Sequence, residues 1–440
     1  MKKKKIFIKT WGCQMNTYDS SIIANILQKN NYKISSQEKN ADIFVLNTCS
    51  IRNKAQEKLF HQLGRWKKIK EKNKNIIIAV GGCVAVQEGK KIFDRAPYIN
   101  IIFGTQNVHQ LPILIEKYIK SKLSILEINN LKTEKFNFYD NKKIFKTKEI
   151  VSIMEGCNKF CSFCIVPYTR GREISRNYKS IISEIMILAQ NGVKEITLLG
   201  QNVNAYNFLK KNGKKVYFSK LLRYISEISQ IKRIKFITSH PCEFTEDIIE
   251  VYKDIPKIVS FLHLPVQSGS NKILQLMKRR YNVNQYKEII SKLIKYRNNI
   301  QISSDFIIGF PGETKEDFQK TMKLISEINF DMSFSFLYSP RPGTPASKMK
   351  DNVSLEEKKE RLYILQEKIN EQTLSWSKKM LYTKQMVLVD GPSKKNIMQL
   401  SGKTENNRTV HFKGSKKHIG KIVPIKIIET SRYNLQGKLI

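Results

Sequence analysis

Three cysteines in the stretch "MEGCNKFCSFC" have a spacing that suits metal ligation. Cys157, Cys161 and Cys164 follow one another at steps of four and three, and no further Cys or His occurs between Cys164 and His240. Structural zinc takes four protein ligands, and so does a four-iron cluster that only transfers electrons. Three thiolates on such a cluster leave one iron open. The spacing therefore predicts an iron–sulfur site built for chemistry, with zinc as the alternative.

Three further cysteines each end an apolar, strand-like run in the amino-terminal part of the chain. Cys13 follows "KKIFIKTWG", Cys49 follows "ADIFVLNT" and Cys83 follows "NIIIAVGG", at intervals of 36 and 34 residues. The carboxyl ends of parallel strands lie along one edge of a sheet, so the three thiols can converge there. This placement predicts a second set of metal ligands. The alternative is three buried structural cysteines.

The elements that must position these cysteines alternate between strand and helix patterns. Over residues 1–120 this order predicts an α/β domain with a doubly wound parallel sheet. The polar, lysine-rich segment 121–148 is interpreted as a linker or a peripheral strand pair. Over residues 149–376, segments such as "VKEITLLGQN" and "NIQISSDFIIGFPGET" predict a complete or partial β/α barrel. The functional groups of such a barrel lie on the loops that follow its strands.

The last block, residues 381–440, contains short strand-like runs broken by Gly, Pro, Asn and Ser, which is typical of a small all-β barrel. It carries twelve Lys and Arg against three acids, in a chain whose formal net charge is already +40. Such a charge favours a polyanionic partner, although abundant Lys throughout the chain also indicates compositional drift. A small basic β-barrel predicts an RNA-binding surface.

The composition excludes several classes of protein. Hydrophobic residues make up 41% and aromatic residues 10%, which is typical of a globular chain and not of a disordered one. No stretch approaches the ~18 apolar residues of a membrane span, and "MKKKKIFIKTWG" lacks a signal peptide's apolar region. Seven scattered cysteines argue against a disulfide framework. We therefore expect a cytoplasmic protein with no membrane partner, and a monomer by default.

The "C-x3-C-x2-C" loop after "EIVSIMEG" is similar to that of the radical S-adenosylmethionine superfamily, and the whole chain resembles its methylthiotransferases. Those enzymes have a cysteine-bearing amino-terminal domain, a radical barrel and a small RNA-binding barrel called TRAM, in the order predicted here. Several separate sequence motifs resemble those of the branch that modifies isopentenylated adenosine in tRNA. They are "WGCQMN", "NTCSIR", "VPYTRGRE", "LLGQNVNAY", "HLPVQSGS" and "YSPRPGTPA".

The resemblance implies two 4Fe–4S clusters, a radical cluster on the loop cysteines and an auxiliary cluster on the amino-terminal cysteines. S-adenosylmethionine would fill the open position of the radical cluster, and a second molecule would methylate the inserted sulfur. The implied product is 2-methylthio-isopentenyladenosine, formed at carbon 2 of the adenosine 3′ of the anticodon. The implied partners are the tRNA anticodon loop and an external electron donor of the flavodoxin type.

Five residues on loops predicted to follow strands are candidate contacts for S-adenosylmethionine. Turn closure or helix capping is the alternative for each of them. The sequence singles out no catalytic side chain. The five candidates are Gln201, Asn202, Gln267, Ser268 and Glu313.

Other polar residues near these motifs have simpler interpretations. Arg170 and Arg172 follow the cluster loop, where they can bind phosphate or carboxylate or lie at the surface. Cys242 fits no cluster motif and is interpreted as an ordinary thiol. His240 and His263 are interpreted as core histidines.

Two rival functions also fit the residues. The first is the same chemistry on another tRNA adenosine or on a ribosomal protein, and the basic last block counts against the ribosomal protein. The second is a non-enzymatic RNA-binding protein whose cysteines hold zinc. It predicts about one zinc and no iron.

Overall fold

The structure, a computed structural model, describes residues 3–50, 53–129, 146–394 and 396–440. The predicted linker over 121–148 falls largely on residues 130–145, which lie outside the described residues. The domain boundaries given above stay predictions, and the architecture between them is described block by block.

A six-stranded, all-parallel sheet forms the first block, with the strand order β2-β1-β3-β4-β5-β6. The predicted doubly wound sheet is confirmed. Its elements are β1 (Lys5–Trp11), α1 (Gln14–Lys29), β2 (Lys33–Ser35), β3 (Ile43–Thr48), α2 (Asn53–Lys72), β4 (Ile77–Gly82), α3 (Cys83–Glu88), α4 (Lys91–Arg95), β5 (Ile101–Phe103), α5 (Leu111–Ser121) and β6 (Ile125–Glu127).

Alternating residues of β3 show why helices cover both faces of this sheet. Every residue of the strand is buried, which is typical of parallel strands between two helical layers. Ile43 and Val45 pack into the core on one face, and Phe44 and Leu46 pack into the core on the other. The first of these cores also includes Leu199 of the second block, so the two blocks are packed together.

The second block is an α/β unit that carries the cysteine loop. Its elements are β7 (Lys148–Ser152), β8 (Met154–Glu155), α6 (Val166–Arg170), β9 (Ile174–Ser175), α7 (Tyr178–Gln190), β10 (Glu195–Leu199), β11 (Asn207–Leu209), β12 (Lys215–Tyr217), α8 (Phe218–Ser226), β13 (Arg233–Phe236), α9 (Glu246–Asp254), β14 (Phe261–His263), α10 (Asn271–Leu276), α11 (Val283–Tyr296), β15 (Gln301–Ser303), β16 (Asp305–Ile308), α12 (Lys315–Ile328), β17 (Phe334–Leu337) and α13 (Leu355–Lys378).

Parallel pairing joins most of these strands into one arc. β7, β10 and β13 are neighbours, β14 pairs with β15, and β16 pairs with β17, all in parallel. Two parallel bridges connect these groups, Ile234 with Ile258 and Gln267 with Phe306. The predicted partial barrel is confirmed. Its open shape leaves the loops at the carboxyl ends of the strands on one edge.

The third block is a small closed barrel with the strand order β18-β19-β20-β22-β21. Apolar side chains such as Val387, Val410 and Ile425 fill its interior. The predicted all-β barrel is confirmed. Its strands are β18 (Lys384–Pro392), β19 (Leu400–Lys403), β20 (Thr409–Phe412), β21 (Ile422–Thr430) and β22 (Asn434–Leu439).

Buried charges fix this small barrel to the amino-terminal ends of the arc's strands. Arg408 of the barrel pairs with Asp331 just before β17, at 2.6 Å, and both side chains are fully buried. Arg233, the first residue of β13, donates to the backbone carbonyls of Lys403 and Met386, each at 2.7 Å. The barrel therefore lies at the opposite end of the arc from the cysteine loop.

We expect Asp331→Ala to destabilise this junction, because it leaves the buried guanidinium of Arg408 without its charged partner. Breaking a buried pair costs about 3–5 kcal/mol. Asp254→Ala is the matched control, since Asp254 pairs with Arg223 at the surface and such pairs contribute at most about 1 kcal/mol. Urea unfolding and limited proteolysis at the junction measure the difference. Equal sensitivity of the two variants would contradict this account.

Candidate active site

The three amino-terminal cysteines come together at the carboxyl edge of the first sheet. β1, β3 and β4 are neighbours and end in register, with Thr48 opposite both Trp11 and Gly82. The cysteines follow these ends by one or two residues, and we call them the amino-terminal triad: Cys13, Cys49 and Cys83. Their convergence at one edge agrees with the sequence analysis.

Glycine allows the strand ends to approach closely. Gly12 has a φ of +140°, and a Cβ there would lie 2.6 Å from the Cβ of Cys49, too close for any side chain. Two buried asparagines brace the same turns. Asn16 donates to Asn47 Oδ1 at 3.3 Å, and Asn47 donates to the Asn16 carbonyl at 2.9 Å. The asparagines of the motifs around Cys13 and Cys49 thus hold these two turns together.

The environment of this triad favours a thiolate at one position. The pKa of Cys13 is lowered to about 6, chiefly because the Cys49 thiol donates a hydrogen bond to it, with a smaller contribution from the charge of Arg170. Burial raises the pKa of Cys83, and Arg170, which hydrogen-bonds to Cys83, opposes that effect. The positive charge of Arg170 beside these thiols favours their thiolate forms, and the thiolate is the form that binds a metal.

The three loop cysteines follow the first strand of the arc, and we call them the loop triad: Cys157, Cys161 and Cys164. Backbone and side-chain bonds fix the loop. Ser162 donates to the carbonyls of Met277 and Leu276, at 3.0 and 2.7 Å. Arg279 donates to Cys161 Sγ at 3.5 Å and to the Pro265 carbonyl at 2.6 Å.

Burial keeps two of the loop thiols, Cys157 and Cys164, protonated in the absence of a ligand. It raises the pKa of Cys157 to about 11 and that of Cys164 to about 12. Within the described residues, no group of three or more His, Cys, Asp and Glu side chains is arranged around one metal ion. A four-iron cluster binds each thiolate at a different iron, so it does not need that arrangement. The all-sulfur donor set therefore fits an iron–sulfur cluster.

Arg170 connects the two triads. It lies on α6, six residues after Cys164, and is 3% exposed. Its guanidinium donates to Asp19 Oδ2 of the first block at 2.7 Å and to Glu155 Oε1 of the second at 2.8 Å. Burial alone would lower the pKa of Arg170, but Asp19 and Cys83 raise it above its ordinary value. Arg170 therefore binds carboxylates and does not lie at the surface.

Helix α6 is also held to the first block through its backbone. Thr105 donates to the Thr169 carbonyl at 2.8 Å, and Gln106 donates to the Arg170 carbonyl at 2.9 Å. Both donors follow β5, at the same sheet edge as the amino-terminal triad. Since α6 directly follows the loop triad, these bonds fix the position of one triad relative to the other.

The first two predicted S-adenosylmethionine contacts lie beside the cluster loop. Gln201 accepts a hydrogen bond from the Gly156 amide at 2.6 Å, next to Cys157. Asn202 is buried and donates to Glu173 at 3.1 Å. Among the described residues its buried Oδ1 has no hydrogen-bond partner, which fits a polar ligand.

The other three predicted contacts differ in how their polar atoms are occupied. Gln267 has a buried Oε1 that lacks a partner among the described residues, whereas Ser268 lies 3.4 Å from Thr321 and accepts from the Ser270 amide. Glu313 accepts from the Gly309 amide and from Arg361, at 3.1 and 2.8 Å. The bond from Gly309 closes the turn, and the bond from Arg361 is a buried ion pair with α13. Ligand contact stays a prediction for all five residues.

The isolated thiol and the histidines lie close to the same edge. Cys242 is half-buried and its thiol donates to the carbonyls of Arg279 and Arg280. His240 is buried, and burial and Arg279 lower its pKa, so the imidazole is neutral. Its Nδ1 accepts from the Cys242 amide at 3.2 Å, and its Nε2 has no partner among the described residues. His263 bonds Ser303 through Nδ1.

Sequence reasoning missed two arginines at the site. Arg279 reaches Cys161 from the run "MKRRY", whose three adjacent basic residues were a usable signal. Arg341 lies in "SPRPGT" after β17; burial lowers its pKa and the nearby Cys49 raises it. Both arginines place positive charge beside cysteines of the two triads.

Family comparisons cover all three blocks. Residues 5–104 match the uncharacterized protein family UPF0004, residues 151–325 match the radical SAM superfamily, and residues 378–440 match the TRAM domain.

Three relatives match over nearly the whole chain, each named tRNA-2-methylthio-N(6)-dimethylallyladenosine synthase. The one from Buchnera aphidicola subsp. Schizaphis graminum is 63% identical and covers 99% of this chain and 100% of its own length. Those from Shewanella sp. (strain W3-18-1) and Haemophilus influenzae (strain PittGG) are 57% and 54% identical, and each match covers 99% of this chain and 92% of the relative's length. The chain belongs to the tRNA-2-methylthio-N(6)-dimethylallyladenosine synthase family. The predicted radical SAM methylthiotransferase class is thereby confirmed.

Solved structures confirm the fold of this family member. The radical S-adenosylmethionine methyltransferase TsrM from Kitasatospora setae aligns with a TM-score of 0.55 at 12% identity, over 79% of this chain and 74% of that one. The radical enzyme OxsB aligns with a TM-score of 0.53 at 13% identity, over 84% and 56%. In the described part of the chain, no helix has both the length and the apolarity needed to cross a bilayer.

We expect Arg170→Ala to lower the free energy of unfolding by about 3–5 kcal/mol, because Asp19 and Glu155 each lose the buried guanidinium that pairs with them. Arg172→Ala is the control, since Arg172 is exposed two residues away and such changes cost at most about 0.5 kcal/mol. Urea unfolding of both variants, purified without oxygen, measures this. An unchanged midpoint for Arg170→Ala would contradict the joining role.

We expect Cys13 to be the fastest-reacting triad thiol in metal-free protein near neutral pH. Its lowered pKa of about 6 makes it a thiolate above that pH, whereas Cys157 stays protonated until about pH 11. Iodoacetamide labelling between pH 5 and 9, read by mass spectrometry, should give a midpoint near 6 for Cys13. Cys49→Ala should raise that midpoint by removing the hydrogen bond. A wild-type midpoint near 8.5 would show that the hydrogen bond does not form.

Proposed function

We propose that the protein methylthiolates carbon 2 of the isopentenylated adenosine that lies 3′ of the tRNA anticodon. The observation that carries the proposal is the joining of two cysteine triads through α6 and Arg170. Attack on an inert aromatic C–H bond needs cofactor chemistry, and sulfur insertion needs a second group held close by. The names of the relatives support the choice of substrate.

The proposal assigns one 4Fe–4S cluster to each triad. S-adenosylmethionine would lie at the loop triad, where the buried, partnerless oxygens of Asn202 and Gln267 and the neighbouring Gln201, Ser268 and Glu313 are the candidate contacts. When bound, these groups would supply the one-electron chemistry and the methyl group, and the auxiliary cluster would hold the sulfur that is inserted. The chain itself orients the loop triad through Arg279 and keeps the two triads together through Arg170.

The substrate would be held largely by charge. The net charge of +40 attracts a polyanion, and the TRAM block carries twelve Lys and Arg against three acids. An anticodon loop offers unstacked bases that a protein can draw into a site. Transfer RNA is therefore the proposed partner.

The remaining assignments are also proposals. The proposal includes an external electron donor of the flavodoxin type, because the clusters must be resupplied with electrons after each turnover. None of the seven cysteines, all of which lie in the described part of the chain, forms a disulfide, which supports a reducing compartment and hence the cytoplasm. A monomer is the default oligomeric state.

The proposal is tested by counting iron, sulfide and zinc in protein purified without oxygen. Wild type should hold about eight irons, and the Cys157→Ala/Cys161→Ala/Cys164→Ala variant about four. The Cys13→Ala/Cys49→Ala/Cys83→Ala variant is the matched control and should lose the other four. About one zinc and no iron in wild type would refute the proposal.

The substrate is tested by mass spectrometry of tRNA after incubation with S-adenosylmethionine and a reductant. Isopentenylated tRNA should gain one methylthio group, and tRNA without the isopentenyl group is the control. A gain on a ribosomal protein in place of tRNA would assign the same chemistry to a different substrate.

A further inference from the structure

Two aromatic side chains beside the loop triad stay exposed to solvent. Phe160 is 39% exposed and Tyr168 is 42% exposed. Their ring centroids lie 6.0 Å apart at an interplanar angle of 86°. In this edge-to-face geometry the rings are not stacked on each other, so ring faces remain open to a third partner. We call Phe160 and Tyr168 the aromatic pair.

The backbone at Phe160 has a conformation that bulky residues rarely adopt. Its φ is +48°, in the left-handed region. Such a conformation persists only where the surrounding structure enforces it, and strained residues of this kind cluster at active sites and ligand-binding segments. The next ring along the loop, Phe163, packs against a core that contains Ile273 and Phe310. The loop therefore buries one ring and directs the other outward.

Both exposed rings stand on fixed supports. Phe160 lies between Cys157 and Cys161, in the loop that the hydrogen bonds of Ser162 hold to the second block. Tyr168 lies on α6, which the hydrogen bond from Gln106 holds to the first block. A preorganised aromatic surface loses little conformational entropy when a ligand binds to it.

We propose that the aromatic pair stacks against an unpaired base beside the target nucleotide of the RNA substrate, and so positions that nucleotide at the loop triad. This inference rests on the proposed function. Aromatic side chains bind unpaired bases by stacking, and the net charge of +40 favours a polyanion that carries such bases. Phe160 and Tyr168 are thus positioning residues that act on a neighbour of the reacting base.

The test measures how tightly the holoenzyme binds an isopentenylated anticodon stem-loop, by fluorescence anisotropy. Phe160→Leu and Tyr168→Leu should each weaken binding by about tenfold, because leucine has no ring face. Tyr168→Phe keeps the ring and should restore binding to near the wild-type value. Tyr363→Leu is the matched control, since Tyr363 is 66% exposed on α13 and should bind like wild type.

Salt dependence separates stacking from charge. Tyr168→Leu removes no charge, so the slope of log affinity against log salt should equal that of wild type. Because Phe160 lies between two cysteines, iron is counted for each variant. If Phe160→Leu has lost iron, Tyr168→Leu alone decides the outcome.

The RNA partner is tested with stem-loops that have an abasic site on either side of the target nucleotide. Wild type should bind one of these abasic stem-loops about tenfold more weakly than it binds the intact stem-loop. Tyr168→Leu should bind that abasic stem-loop with little further loss of affinity. The inference is overturned if the loss of affinity from the abasic site and the loss from Tyr168→Leu multiply in full. It is also overturned if Tyr168→Leu binds the intact stem-loop as tightly as wild type does. If wild-type protein neither binds nor modifies the intact stem-loop, the proposed function itself fails, and the inference fails with it.

Discussion

A guanidinium that is 3% exposed is stable inside a protein only if charged partners replace its water. Arg170 has two such partners, Asp19 on α1 and Glu155 on β8, and they belong to different blocks. Neither block can supply both carboxylates, so the pairing requires the two blocks to be docked. Because the same guanidinium hydrogen-bonds to Cys83 and lies six residues after Cys164, the arrangement of both triads depends on it.

The arc of parallel strands is held at both ends by hydrogen bonds to backbone carbonyls and by buried ion pairs. At the carboxyl edge, α6 is bound through side chains that donate to backbone carbonyls of Thr169 and Arg170. At the amino edge, Arg233 donates to carbonyls of the small barrel, and Arg408 pairs with Asp331. Directional bonds of this kind fix orientation as well as proximity, which apolar packing alone does poorly.

The convergence of the amino-terminal triad was predictable because each thiol directly follows an apolar run, and the ends of parallel strands share an edge. The partners of Arg170 were not, since Asp19 lies 151 residues away and no local pattern relates them. Glu313 is intermediate. Its place on a loop after β16 was predicted, but Arg361, which binds its carboxylate, comes from α13, 48 residues further on. Strand ends are a local property, whereas buried ion pairs depend on how distant elements pack.

The small barrel meets the arc at the amino ends of its strands, and the loop triad lies at the carboxyl ends. A strand of five residues such as β7 rises about 16 Å. A ligand that touches both the barrel and the triad must therefore extend along the full height of the arc. A free nucleoside is too short to do so. A folded nucleic acid is long enough to contact both places at once.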